Sequence, residues 1–156
     1  MPNEETIKSM LIKQFDFLNE KIKITRVRRI FVDVPAEHFM AVFEFAFKQL
    51  QLNVLCTITG LDEGENLTFI YHMAHLDGTM VNLKRSVSRQ KPVIGTVMAL
   101  FPAAEIYERE LVDLLGAEVV GLLPGNRYPL PDSFPKDQHP LRKDWQGIKK
   151  EGAAKS

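Results

Sequence analysis

The sequence predicts an α+β domain, a small and mainly antiparallel sheet with helices packed on it, followed by an extended, Pro-rich C-terminal arm. Three observations predict it. Helical and strand-like apolar periodicities follow one another in the order helix, strand, helix, strands, helices. A charge-dense helix, Glu108-Arg109-Glu110-Leu111-Val112-Asp113-Leu114-Leu115, then stops at Gly116 in the usual place for a C-terminal cap. Beyond it, five of the nine prolines (Pro124, Pro129, Pro131, Pro135 and Pro140) fall between Gly121 and Leu141, a spacing that forbids a long helix and disfavours a central strand. We therefore divide the chain into a core domain, residues 1–120, and an arm, residues 121–156.

Residues 4–20 read as a helix, with Ile7, Leu11, Phe15 and Leu18 at helical spacing. Lys21 to Val34 reads as one or two strands, bent near the basic cluster Arg26, Arg28 and Arg29. Asp33 and Pro35 give a helix start, and that helix runs to about Gln51 with Phe39, Phe43, Phe47 and Leu50 as one core-facing stripe. Three strands follow, Val54–Thr59, Leu67–Met73 and Met80–Val87, separated by turns at Asp62–Asn66 and Asp77-Gly78. From Pro92 onward the chain reads as helical again, punctuated by Pro102. The arm carries Leu122, Leu123, Leu130, Phe134, Leu141 and Trp145, apolar anchors suited to docking along a surface. Composition alone leaves open whether that surface is a partner's or the chain's own. The Lys-, Gly- and Ala-rich end, Gln146 to Ser156, is expected to fray.

Composition narrows the function. Lys plus Arg and Asp plus Glu total 20 each, so nothing in the charge favours nucleic acid or an anionic membrane. Cys56 is the only cysteine, which excludes an internal disulfide, an iron–sulfur cluster or a cysteine zinc site in this chain and makes a reducing, cytoplasmic setting the default. Flanked by Leu55 and Thr57 in a strand, Cys56 is expected to be a buried, inert thiol. The apolar run from Val93 to Ala104 is interrupted by Gly95, Thr96 and Pro102 and falls short of the ~20 residues a membrane span needs. The polar start, Asn3 to Thr6, does not read as a targeting peptide, and Asn66-Leu67-Thr68 reads as a chance glycosylation match.

Chemistry is sparse. No Gly-rich nucleotide cradle and no nucleophile motif is present. On a helical wheel Glu108 falls inside the apolar face made by Tyr107, Leu111, Val112, Leu114 and Leu115, whereas Glu110 and Asp113 lie on the other side, at a surface. A buried Glu108 needs a cation or several donors, with Arg127, Arg142 or one of Arg26, Arg28 and Arg29 as partners. It then serves as a general acid or base, or as the pin that fixes the arm to the helix; the second reading is favoured. Arg109, one turn from Glu105 and Asp113, reads as surface pairing. Glu110 and Asp113 are spaced to share a divalent cation, but His72 and His75 point to opposite strand faces and His38 and His139 are isolated, so a zinc site is not expected. Lys84 to Lys91 reads as a solvated basic loop.

Two blocks taken together, Glu108-Arg109-Glu110-x-x-Asp113-x-x-Gly116 and His139-Pro140-Leu141-Arg142-Lys143-Asp144, resemble the signature of the respiratory complex I 30-kDa subunit family of NADH–quinone oxidoreductase, which includes related subunits of membrane-bound [NiFe] hydrogenases. Weaker likeness covers most of the chain from Pro35 to Trp145, and Pro102 also fits. The resemblance implies a cofactor-free peripheral-arm subunit that clasps the large catalytic subunit (49-kDa-like or hydrogenase large) beside neighbouring iron–sulfur subunits. NADH, flavin, iron–sulfur clusters and quinone, or nickel, would then lie in partner subunits. The implied location is the cytoplasmic face of the cell membrane, reached only through the complex. On this reading Glu108, Arg109, Glu110, Asp113, Gly116, Arg127, His139, Pro140, Leu141, Arg142, Lys143, Asp144 and Trp145 form the motif and the partner interface.

One departure leaves the branch open. Many members place Gly-His-Pro after the helix, whereas this chain has Gly121-Leu122-Leu123-Pro124 and then a hydrogenase-like Tyr128-Pro129-Leu130-Pro131-Asp132. A rival of another class is a small stand-alone enzyme using Glu108, Glu110 and Asp113. A self-dimer that buries the arm is also open to the isolated chain.

Overall fold

The structure is a computed structural model that describes residues 3–148. Helix α1 spans Glu4–Gln14, opened by Asn3, whose side chain accepts the Thr6 N–H at 2.9 Å. It ends sooner than its periodicity predicts. Phe15 leaves the helix and Asp16–Leu18 forms a short 3-10 turn, because Phe15 and Phe17 turn inward, Phe15 edge-on to Phe45 at 5.5 Å and Phe17 stacked on His38 at 4.5 Å. Packing of two aromatic rings outweighs one more helical turn. The basic cluster bends the next segment into a hairpin, β1 (Ile22–Arg26) and β2 (Arg29–Asp33), with Arg28 at φ 59° in the turn. Helix α2 (Phe39–Lys48) buries Phe39, Val42, Phe43 and Ala46, while Phe47 lies half-buried against Phe101 at 5.2 Å.

Strands β3 (Val54–Asp62), β4 (Asn66–Ala74) and β5 (Met80–Ser88) form the antiparallel meander, and the main sheet has the order β1-β2-β5-β4-β3. The β2–β5 pair alone is parallel in it, since α2 and the first two meander strands carry the chain across. Ile30, Val32, Ile58, Leu67, Phe69, Tyr71, Met73, Val81 and Leu83 alternate onto the core face. A bulge between Leu55 and Thr57 leaves Cys56 without a cross-strand partner, and the thiol is exposed rather than buried.

Two further expectations are corrected. The segment after Pro92 is not helical at first: Val93–Gly95 is a strand, β6, which pairs in parallel with β7 (Glu118–Val120). The intervening helix α3 (Ala104–Leu115) is the crossover of that small β6–α3–β7 unit. The basic run Lys84 to Lys91 is not a solvated loop, since its first five residues belong to β5. Arg85 falls on the core face in alternation with Val81 and Leu83, where its guanidinium lies 4.2 Å from the Phe39 ring centroid. Helix α3 packs on β3 at Gly60, where a Cβ would collide with Leu111 and Leu115. The frayed end predicted from Gln146 onward lies, from residue 149, outside the described residues.

Candidate functional site

Helix α3 carries the first motif block, and its two ends are held by different parts of the chain. Glu108 is fully buried, as the wheel predicts. Its partners are other than predicted. The carboxylate accepts the Thr96 hydroxyl at 2.6 Å and the Val97 N–H at 2.7 Å, in the turn that follows β6. No arginine of the arm or of the β1–β2 turn reaches it; the cation acting on it is Arg85, through space. Glu108 faces the turn after β6, and the arm runs along a different face of the helix. Burial pushes the Glu108 carboxyl above its ordinary range, and the Thr96 and Val97 donors and Arg85 partly offset that rise.

Arg85 is itself buried, with Nη2 donating to the Tyr71 hydroxyl and, at 3.3 Å, to the Gly95 carbonyl. A buried cation lying over the adjacent rings of Phe39 and Tyr71 is therefore near a buried carboxylate; Arg85 ties β6 to the main sheet, and Glu108 ties the turn after β6 to α3. Sequence reading missed this pair. The available signal was Arg85 at a core-facing position in an otherwise apolar β5 alternation.

Asp113 is where the arm is pinned. It is buried rather than at a surface, because the arm covers its face of α3. Its Oδ1 accepts Arg127 Nε at 2.9 Å and its Oδ2 accepts the Leu130 N–H at 3.1 Å. Arg127 extends the tie by donating to the Phe134 carbonyl at 2.5 Å and the Pro135 carbonyl at 3.4 Å, with its guanidinium over the Phe134 ring. Arg109 pairs with Glu105 at 2.7 Å as predicted but not with Asp113; its second contact is the Leu123 carbonyl at 2.6 Å. Gly125 permits this, since a Cβ there would come within 2.5 Å of Arg109 Nη2. Glu110 is half-buried on the same helix.

The second block finishes what the first begins. An α-helix ends with carbonyls that have no partner within the helix. In α3, the Val112 carbonyl accepts the Gly116 N–H at 3.0 Å, with Gly116 left-handed at φ 71°. The next three carbonyls are taken by the arm: Asp113 by His139 Nδ1–H at 3.0 Å, Leu114 by the Leu141 N–H at 3.0 Å, and Leu115 by Arg142 Nε at 2.7 Å. Pro140 separates the first two of these donors. Gly116 is needed twice, since a Cβ there would also meet the His139 ring at 2.6 Å.

The arm then reaches the end of β3. The Lys143 N–H donates to Asp62 Oδ2 at 2.9 Å, and Arg89 bridges Asp62 at 3.2 Å and Asp144 at 2.5 Å. Burial works to raise the Asp62 carboxyl, but the Lys143 and Gly64 N–H groups and Arg89 hold it below its ordinary range. Trp145 closes the segment, its indole N–H on Gln138 Oε1 at 3.1 Å and its ring 6.3 Å from Phe134. Arg109, Asp113, Arg127, His139 and Arg142 thus tie α3 to the arm, while Glu108 ties the same helix to the turn after β6. Glu108 faces the turn after β6 while both Asp113 oxygens are occupied, so Glu108, Glu110 and Asp113 do not converge on one point. Among the described residues, no group of three potential ligands is placed to hold a metal.

Comparison with known proteins places this arrangement in a family. Residues 32–151 match the model for the respiratory-chain NADH dehydrogenase 30 Kd subunit. The chain is 34% identical over 116 residues to the NADH-quinone oxidoreductase C subunit of Moorella thermoacetica, covering 72% of this chain and 77% of that protein. It is 26% identical over 129 residues to the membrane-bound hydrogenase subunit beta of Pyrococcus furiosus, covering 79% and 73%. A chain in the structure of the membrane-bound sulfane sulfur reductase, an archaeal respiratory membrane complex, superposes with a TM-score of 0.79 at 24% identity over 91% of this chain and 85% of that one, a likeness of fold. With the two motif blocks joined as described, the chain belongs to the respiratory-chain NADH dehydrogenase 30 Kd subunit family.

Proposed function

We propose that the chain is a non-catalytic, cofactor-free peripheral-arm subunit of a complex I-type membrane redox assembly, supporting electron transfer from NADH to quinone by clasping the large catalytic subunit. One observation carries the reading. Arg109, Asp113, Arg127, His139 and Arg142 are spent on holding α3 and the arm in register. That is the work of a rigid docking element, and Asp113, with both carboxylate oxygens engaged, is not left free as an acid, base or nucleophile would be. Leu123, Tyr128 and Leu141, with exposures of 59%, 46% and 53%, give the arm an outward apolar side for a partner. No helix among the described residues is long and apolar enough to cross a membrane, so the chain would reach the cytoplasmic face of the membrane through its partners.

A second reading places the same subunit in an energy-converting membrane-bound [NiFe] hydrogenase. The similarity to the Pyrococcus hydrogenase subunit and the Tyr128-Pro129-Leu130-Pro131-Asp132 run favour it. Co-purified flavin- and NADH-binding subunits would select the first branch; a large subunit with nickel-ligating cysteine pairs would select the second. The clasp itself is tested by Arg142→Ala. Co-purification with the large subunit should fall further than thermal stability of the isolated chain, and an equal loss of both would argue against clasping.

A further inference from the structure

Between α3 and the arm lies a cavity of about 290 Å³ that the pinning contacts leave open. Val112, Leu122 and Tyr128 supply its apolar walls. Its charged lining is one-sided: Arg109, Arg127 and Lys136 against the single acid Asp113, with the His139 ring beside them. Both Asp113 oxygens are already engaged, and Arg127 is paired with Asp113 and donates to two carbonyls. Lys136 differs. It is exposed, and among the described residues it enters no ion pair. Its neighbour Asp137 lines a separate hollow with Trp145. The cleft is thus a set of donors and one unspent positive charge, with no free acceptor of matching sign.

Resting on the clasping role above, we propose that this cleft receives an aspartate or glutamate side chain carried on a surface segment of the neighbouring large subunit, with Lys136 as its charge partner. The surroundings of the cleft select a protein segment over a free anion. The exposed side chains beside it, Leu123 and Tyr128 on the arm and Ile106 one turn from Arg109 on α3, offer contact area that only a polypeptide can use. The paired charges Arg109 and Arg127 shape the cleft, and Lys136 supplies the complementarity that sets register.

The test uses the intact complex purified through a tag on another subunit. A zero-length carbodiimide condenses an amine with a carboxylate in contact, forming an amide while the reagent takes up the water as a urea. Mass spectrometry should find Lys136 joined to an Asp or Glu of the large subunit, and Lys136→Gln should remove that peptide. Lys136→Glu, on an exposed side chain outside the core, should leave the melting temperature of the isolated chain in place while raising its loss from the complex about tenfold on washing at moderate salt. A complex that retains this subunit while Lys136 couples only within its own chain, or to nothing, overturns the proposal. So does Lys136→Glu retained as firmly as wild type, or cross-linking abolished by millimolar inorganic phosphate, which would make the cleft a small-anion site. Failure of the wild-type chain to co-purify with any large subunit would instead remove the clasping reading, and this proposal with it.

Discussion

Asp113 and Arg127 meet across the boundary between helix and arm, Nε to Oδ1 at 2.9 Å, with only 8% and 12% of their side chains exposed. They are fourteen residues apart in sequence, and the chain between them makes the excursion through β7 and the first proline of the arm. The same aspartate holds the Leu130 N–H, so one carboxylate fixes two points of the arm.

Asp113→Ala should therefore cost about 3 kcal/mol of folding stability, the range found when one partner of a buried pair is removed and the other left uncompensated. Hydrogen exchange should locate the loss: amides from Leu130 to Leu141 lose protection while those of β4 and β5 keep theirs. Uniform loss across the sheet would contradict a tie that is local to the arm.

Glu108 gives a stability trend opposite to that of most carboxylates. Burial raises its folded value above the ordinary 4.5, so the folded protein binds this proton more tightly than the unfolded chain. Its contribution is most favourable below the unfolded value and declines as pH rises through the folded one. Relative to Glu108→Gln, the wild type should lose stability on going from about pH 4.5 toward neutrality. Parallel urea-denaturation curves for the two proteins across that range would refute it.

Asp62 has the reverse sign. Its folded value is held below the ordinary 3.8, so its stabilisation is complete above that value and disappears as pH falls through the depressed one. Asp62→Asn should weaken the protein at neutral pH and erase the acid dependence of arm release, read as protease cleavage near Lys143. A variant whose arm still releases at the same acid midpoint as wild type would rule Asp62 out as the titrating anchor.

Gly116 and Gly64 separate strain from collision. Both have positive φ, 71° and 94°, but a Cβ at Gly64 meets nothing within 4 Å whereas one at Gly116 meets His139 and Arg142. Gly64→Ala should cost about 1 kcal/mol from backbone conformation alone. Gly116→Ala should cost at least about 2 kcal/mol, and should also expose the arm to proteolysis. Equal effects would mean that the close approach of His139 carries no energy.

What the sequence made legible was local. Apolar spacing located α2, the three long strands and α3, and the wheel correctly placed Glu108 in the interior. The misreadings came from contacts that periodicity does not encode. The end of α1 was decided by Phe15 and Phe17 finding Phe45 and His38. Val93–Gly95 became a strand only because Glu118–Val120 lies beside it, some twenty-five residues on. Asp113 looks exposed on an isolated wheel and is buried because the arm returns over it. The Asp62–Lys143 contact spans 81 residues and has no local signature at all.

The cap on α3 also imposes an order in time. Its last three carbonyls wait for donors at His139, Leu141 and Arg142, which the ribosome adds some twenty-five residues after the helix itself. The sheet and α3 can be complete in sequence while the helix still ends in open acceptors. A chain stalled or cleaved within the arm would thus be a folded core with an unfinished edge, recognisably different from the full-length protein to anything that reads that edge.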